Sequence, residues 1–238
     1  MGTDIFEHYE VREDGRWMER RFQPPADWDR MTDEEETAYF NHPAQLGRNS
    51  ALFAILADVN NGFGFAGIPT GTGYRPISPP RGLPEDLSPE VQRASRDDDG
   101  DPGGHGHSWL SLRELLEYDW EQRTTRFGQV DAVEYARFRR EGSPGVWSAA
   151  VPNPEAAHVS NVEMDAVLER EPSLVELSRG GPSLLHRAAS DGRVYITEVR
   201  WEETYAEAVS PFVETTLPFL RAQVNDPEDL RMVFWFSS

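Results

Sequence analysis

Between Gly62 and Pro84 the chain carries Gly62, Gly64, Gly67, Gly71, Gly73 and Gly82 interleaved with Pro69, Pro76, Pro79, Pro80 and Pro84. No helix or strand runs through such a stretch, because each proline removes a backbone donor and each glycine weakens regular structure. A connection of this length inside a compact domain is either functional or disordered. Phe63, Phe65, Ile68, Tyr74, Ile77 and Leu83 point to an ordered loop that packs. Just before it, Asn49 is a good N-cap, and Leu52, Ile55, Leu56 and Val59 share one face that Phe53 widens. This predicts a core helix over Ser50–Asn61 that stops at Gly62. Asp58 falls on its other side, near Ala51 and Ala54. After the loop come a polar tip (residues 96–106) and the extended segment His107–Leu110. A site, if the chain has one, is expected between Gly47 and Trp109.

The flanking sequence alternates irregularly between hairpin-like strands and capped helices. Residues 3–12 read as a strand, Asp14-Gly15 as a tight turn, and Trp17–Phe22 as the partner strand. Thr32 with Glu35 caps a helix Asp33–Phe40, and Ser88-Pro89-Glu90 starts another. Ser111 with Glu114 opens Leu112–Asp119. Asp131 with Glu134 opens Ala132–Glu141, and Ser160 with Glu163 opens a helix to about Arg170. Thr124–Val130 and Val194–Trp201 read as strands, while residues 171–191 are poorly patterned. Tyr205–Val224 is helical but interrupted by Pro211 and Pro218. Leu230–Phe236 is a nearly continuous apolar run, consistent with a strand buried on both faces, central in its sheet and beside the N-terminal hairpin. These elements predict an α+β fold with a mostly antiparallel sheet and helices packed on one side. The expectation is one domain over residues 1–238.

The 23 basic residues against 42 acidic ones give a net charge of −19, and every basic residue is arginine. The absence of lysine excludes Schiff-base, P-loop and kinase-type lysine chemistry. The absence of cysteine excludes disulfides, thiolate metal sites and thiol catalysis. The acidity argues against direct nucleic-acid binding over a broad basic face and permits imitation of a nucleic acid. A GC-rich genome is the first explanation for the missing lysine, and a salt-adapted source, which an acidic lysine-free surface suits, is another. No apolar run approaches a membrane span and the first residues lack a signal-peptide pattern, so a cytoplasmic protein is expected.

Arg48, Asn49, Arg75 and Arg81 lie in or beside the long loop. Bidentate arginines near a helix N-terminus suit a phosphate or carboxylate; pairing with nearby acids is the other use for them. His105 and His107 stand two apart. In an extended segment they share a face and offer a possible metal pair, with Asp101 as a third ligand and Asp97, Asp98 and Asp99 close by. The string Gly62-Phe63-Gly64-Phe65-Ala66-Gly67 matches a dinucleotide fingerprint only as letters, since a helix precedes it and a proline-rich loop follows. Asp4 and Asp58 are candidates for buried acid–base carboxylates. Ser108 lacks the strand–turn–helix context of a nucleophile. Arg137, Arg139 and Arg140 read as a solvated basic face.

The segments MGTDI, GRNSALFAILADV, PISPPRGLP, HGHSWLSLRELLEYDW and VFWF together resemble a family of uncharacterised proteins from tailed bacteriophages and their bacterial hosts. The family pattern has histidine where this chain has Phe6, and a His-x-His that is present here as His105-Gly106-His107. The resemblance implies an origin and no particular activity.

The expected function is that of a phage-type accessory protein with a pocket for a small anionic ligand, a nucleotide or sugar phosphate, under the 62–84 loop. Arg48, Asn49, Arg75, Arg81, His105 and His107 are expected to line it. Folding the loop back onto the helix is expected to bring His107 and Trp109 to the helix's N-terminal end, with Arg81 on the wall of the corner so formed. The alternatives are an acidic inhibitor or nucleic-acid mimic that binds a host protein, and a histidine-dependent metal hydrolase. No cofactor is expected except, on the last alternative, a divalent metal.

Overall fold

Asp14 and Gly15 take left-handed φ values of 48° and 78°. Paired positive φ values are what a two-residue hairpin turn needs to follow the strand twist, and they fold β1 (Asp4–Glu13) back onto β2 (Arg16–Glu19). β2 is short, so its ladder with β1 covers Glu10 to Glu13, and Arg20 N donates to the Tyr9 carbonyl at 2.7 Å just beyond it. In this computed structural model the described residues are 3–23, 30–64, 67–98, 104–151, 155–181 and 186–237. They fall into two compact units. One comprises Met1–Asn61, Tyr74–Gln122 and Tyr205–Ser238, the other Gly62–Gly73 and Arg123–Thr204.

The first unit holds a four-stranded sheet in the order β2-β1-β7-β3. β7 (Leu230–Ser237) runs antiparallel to both β1 and β3 (His105–Ser111), the central place its apolar run predicts. Leu230, Met232, Phe234 and Phe236 enter the main core on one face. There they share the interior with α2 (Ser50–Ala57), α4 (Leu112–Glu117) and α8 (Tyr205–Ala208). On the other face Val233 and Trp235 pack with Val91 of α3 (Pro89–Asp98). A strand covered from both sides needs no polar alternation.

α2 is shorter than its sequence predicts. Asp58, not Gly62, ends it, in a left-handed conformation with φ 60°. All seven residues from Ala51 to Ala57 are buried, so this is a helix enclosed all round rather than an amphipathic one. The helical run after Tyr205 breaks as its prolines require. α8 stops before Pro211, a π-helical turn covers Phe212–Thr216, and α9 (Leu217–Arg221) carries Pro218 in its first turn, where the missing N–H costs little. α1 (Asp33–Phe40) has the expected capping box and buries none of its residues.

In the second unit β4 (Arg123–Asp131) pairs antiparallel with β6 (Tyr195–Thr204), and β5 (Ala157–His158) adds a brief parallel edge. α5 (Ala132–Glu141), α6 (Asn161–Arg170) and α7 (Pro172–Leu177) supply Val133, Tyr135, Met164, Val167 and Leu174 to a core with Val199 and Trp201. Arg137 is not on a solvated face. It is buried, pairs with Glu134 at 3.2 Å and donates to the Gly180 carbonyl at 2.7 Å. Arg139 reaches Asp165, and Arg140 donates to Ser178. The chain is thus α+β with mostly antiparallel sheets. Among the described residues no helix is long and apolar enough to cross a membrane.

Candidate functional site

Strand alternation puts Glu10 and Arg12 of β1, Trp17 of β2, Arg231 of β7, and Trp109 and Ser111 of β3 on one face of the first unit's sheet. Arg12 pairs with Trp17, Glu10 with Arg231, and Ser111 with Arg231 in the strand registers. The loop segment Arg81–Asp86 passes along this face. Arg81 N donates to Ser108 Oγ at 3.1 Å and Gly82 N to the His107 carbonyl at 3.0 Å, which fixes the loop to β3. Between strands and loop lies a cavity of about 570 Å³ lined by Arg12, Trp17, Arg81, Trp109 and Arg231 and by the acids Glu85, Asp86 and Glu228.

Arg231 is its deepest charged group, with 3% of its surface exposed, beside Glu10 at 0%. Its Nε donates to Glu10 Oε2 at 2.7 Å, Nη1 to Asp86 Oδ1 at 2.7 Å and Nη2 to the Asp86 carbonyl at 3.1 Å. Glu10 Oε1 accepts from Ser88 N at 2.7 Å, which ties the start of α3 to the same pair. The Arg231 guanidinium lies 4.1 Å from the Trp17 ring centroid and 5.8 Å from that of Trp109. Burial raises the Asp86 pKa, but the hydrogen bond and charge of Arg231, with a hydrogen bond from Trp17, outweigh it and hold Asp86 below the usual carboxylate range. Glu114 behaves alike: burial raises it, and Arg81 with the Ser111 cap brings it below its ordinary value.

The two outer arginines are also held in place. Arg81 grips Glu114 with both terminal nitrogens, at 3.0 and 2.5 Å, and lies 5.0 Å over Trp109. Arg12 donates through Nε and Nη2 to Asp229 and lies 5.4 Å from Trp17. Two of its five N–H donors are spent on that carboxylate. The cavity therefore presents indole rings and guanidinium groups fixed by their own counter-ions.

Of the residues expected from sequence to bind a ligand, only Arg81 lines this cavity, together with Trp109 of the expected corner. Arg48 forms an ion pair with Asp4 at 2.5 Å. Asn49 caps α2, accepting from Ala51 N and Leu52 N while its Nδ2 donates to the Ala208 carbonyl. The N–H groups expected to await an anion are thus already used. Both residues border a separate cavity of about 250 Å³ with Leu52, Val209 and Phe212. Arg75 is exposed, and its backbone is clamped by Tyr205, whose hydroxyl accepts its N–H, and by Tyr118, whose hydroxyl donates to its carbonyl.

The histidines do not share a face. Gly106 between them adopts φ 67°, and the β3 register shifts there. This bulge breaks the i, i+2 rule of an extended strand. His105 stacks on Phe236 and His107 on Trp235, and these neighbours on β7 point to opposite faces. A Cβ on Gly106 would meet Val59, so the start of β3 lies by the C-terminal end of α2, not by Asn49. The corner expected from the sequence does not form.

Among the described residues no group of three or more histidines and carboxylates could hold a metal ion. Asp99, Asp101 and the side chains of Asp97 and Asp98 lie outside the described residues. Asp4 is about half exposed and lowered in pKa by Arg48, and Asp58 is exposed, so they do not form a buried acid–base pair.

Trp17, Arg12 and Arg231 are not singled out by the sequence reading, although two signals are present. The Asp-Gly turn alone sets Trp17 opposite Arg12. Arg231 is the single charge inside an otherwise apolar central strand. Compared with protein-family models, curated proteins and solved structures, the chain matches none.

Proposed function

We propose that the chain binds a small planar ligand that carries an anionic group, with nucleotides as the natural class, in the cavity between Trp17, Trp109 and the 81–86 loop. The observation that carries this reading is the convergence of two indoles and three guanidinium groups on one cavity of about 570 Å³. That size falls within the ~300–1,000 Å³ of small-molecule sites. The lining acids balance the arginines, so stacking supplies most of the affinity. An indole–base stack contributes about 1–3 kcal/mol. Arg12 and Arg81, pre-oriented by Asp229 and Glu114, supply donors for a phosphate or carboxylate. In the phage setting that the sequence resemblance suggests, such a protein would take up or process a host metabolite.

Titration calorimetry and tryptophan fluorescence with a panel of nucleoside mono- and triphosphates test the proposal. Binding should quench Trp17 or Trp109, and Trp109→Ala should weaken it about tenfold or more. Neither heat nor quenching with any nucleotide at millimolar concentration would overturn it.

A further inference from the structure

A further cavity of the first unit, of about 300 Å³, opens beside β1 where its ladder with β2 ends. Its walls come from three places: Glu7 of β1, the chain leaving β2 (Arg20, Arg21, Phe22 and Gln23), and the α1 region (Tyr39 and Gln45). We propose that this cavity is a binding site for a neutral polyhydroxylated ligand, a single sugar unit, with Glu7 as its central hydrogen-bonding group.

Charge narrows the ligand class. Glu19 is shared between His8 at 3.1 Å and Arg21 at 2.7 Å, and Arg20 pairs with Glu13 at 3.2 Å. The ionic groups are thus satisfied by one another, and the wall favours neither a cation nor an anion. Glu7 Oε1 accepts from Leu46 N at 3.0 Å. Burial pushes the Glu7 carboxyl up to about 8, against the opposing effect of that hydrogen bond. At neutral pH it is therefore mainly protonated and can donate as well as accept, matching a ligand hydroxyl, which does both. Gln23 and Gln45 add amides with the same dual character. Phe22 and Tyr39 supply the apolar surface against which the C–H face of a sugar ring packs. Phe22 is held edge-on by Phe219 at 5.0 Å and tilted against Tyr9 at 5.4 Å, so that wall is rigid. The volume is at the lower end of the ~300–1,000 Å³ range, right for one ring and too small for an oligosaccharide.

Saturation-transfer-difference NMR on the full chain, with glucose, galactose, mannose and N-acetylglucosamine as probes at millimolar concentration, tests this. At least one sugar should receive transfer. Glu7→Gln, which keeps a neutral donor and acceptor, should retain it, and Glu7→Ala should weaken it about tenfold. Gln45→Ala should weaken it as well, which keeps the test open if Glu7→Ala does not fold. Trp109→Ala, in the other cavity, should leave it unchanged. No transfer to any of the sugars, or transfer of undiminished strength in both Glu7→Ala and Gln45→Ala, would overturn the proposal. So would displacement of the sugar by a nucleotide acting at this cavity.

Discussion

The guanidinium carbon of Arg231 sits 4.1 Å from the centroid of the Trp17 ring, two strands away across β1. That contact, with the Glu10 salt bridge beneath it, makes a buried charge the keystone of one sheet face. Arg231→Ala leaves Glu10 buried without its counter-charge and should cost about 3–5 kcal/mol. The double variant Glu10→Gln/Arg231→Met removes both charges and keeps an acceptor for Ser88 N. It should recover more than half of that loss in urea unfolding followed by circular dichroism. A double variant no more stable than Arg231→Ala would mean the pair is not what stabilises this face.

Glu7 gives the stability a pH dependence of definite sign. Its folded-state value of about 8 lies above the ordinary 4.5, so the folded chain binds this proton more tightly than the unfolded one. The contribution is complete below 4.5 and is lost as pH rises toward 8. Stability should fall across that window by an amount on the order of a few kcal/mol. Glu7→Gln should flatten the curve relative to the parent chain, read as urea midpoints at a series of pH values.

Asn49 makes three hydrogen bonds at the start of α2, two as a cap and one to the Ala208 carbonyl. Asn49→Ala should therefore cost at least the ~1 kcal/mol of a lost cap. Asn49→Asp keeps the capping oxygen and loses only the Nδ2 donor, so it should fall between the two. Thermal melts of the three chains give the order directly.

Gly106 combines a φ of 67° with a position where a Cβ would come within 3.0 Å of Phe236. Gly106→Ala should destabilise by about 1–2 kcal/mol from the backbone alone, and more if Phe236 cannot yield. Because His105 and His107 flank the bulge, their ring resonances should shift together in the variant's NMR spectrum. Unchanged stability and unchanged resonances would show that the bulge is not fixed by this glycine.

What could be read from the sequence was local or strongly periodic. The Asp-Gly turn, the capping boxes at Thr32, Ser111 and Ser160 and the two-faced burial of Leu230–Phe236 each depend on a few neighbouring residues, and each is found. The end of α2 is not legible in the sequence because Asp58 adopts a left-handed conformation, an uncommon choice for a residue with a side chain. The loop residues are less legible for a different reason. Arginines and histidines cluster in sequence around one loop, whereas Arg48 and Arg81 have acidic partners distant in sequence, Asp4 and Glu114. The cavity beside Trp17 and Trp109 arises from strand register across β2, β1, β7 and β3. Register of that kind joins residues more than two hundred positions apart, as in Glu10 and Arg231.

The strand order β2-β1-β7-β3 also dictates when the first sheet can exist. β1 and β3 are not hydrogen-bonded to each other; each pairs with β7, which is translated after both. While the ribosome is still adding the residues before Leu230, the N-terminal hairpin and the His105–Ser111 segment have no shared partner. Their apolar faces must wait for closure from the far end of the chain. Folding of this unit's sheet is therefore a late and long-range event, and until then its unpaired strands are exposed to aggregation.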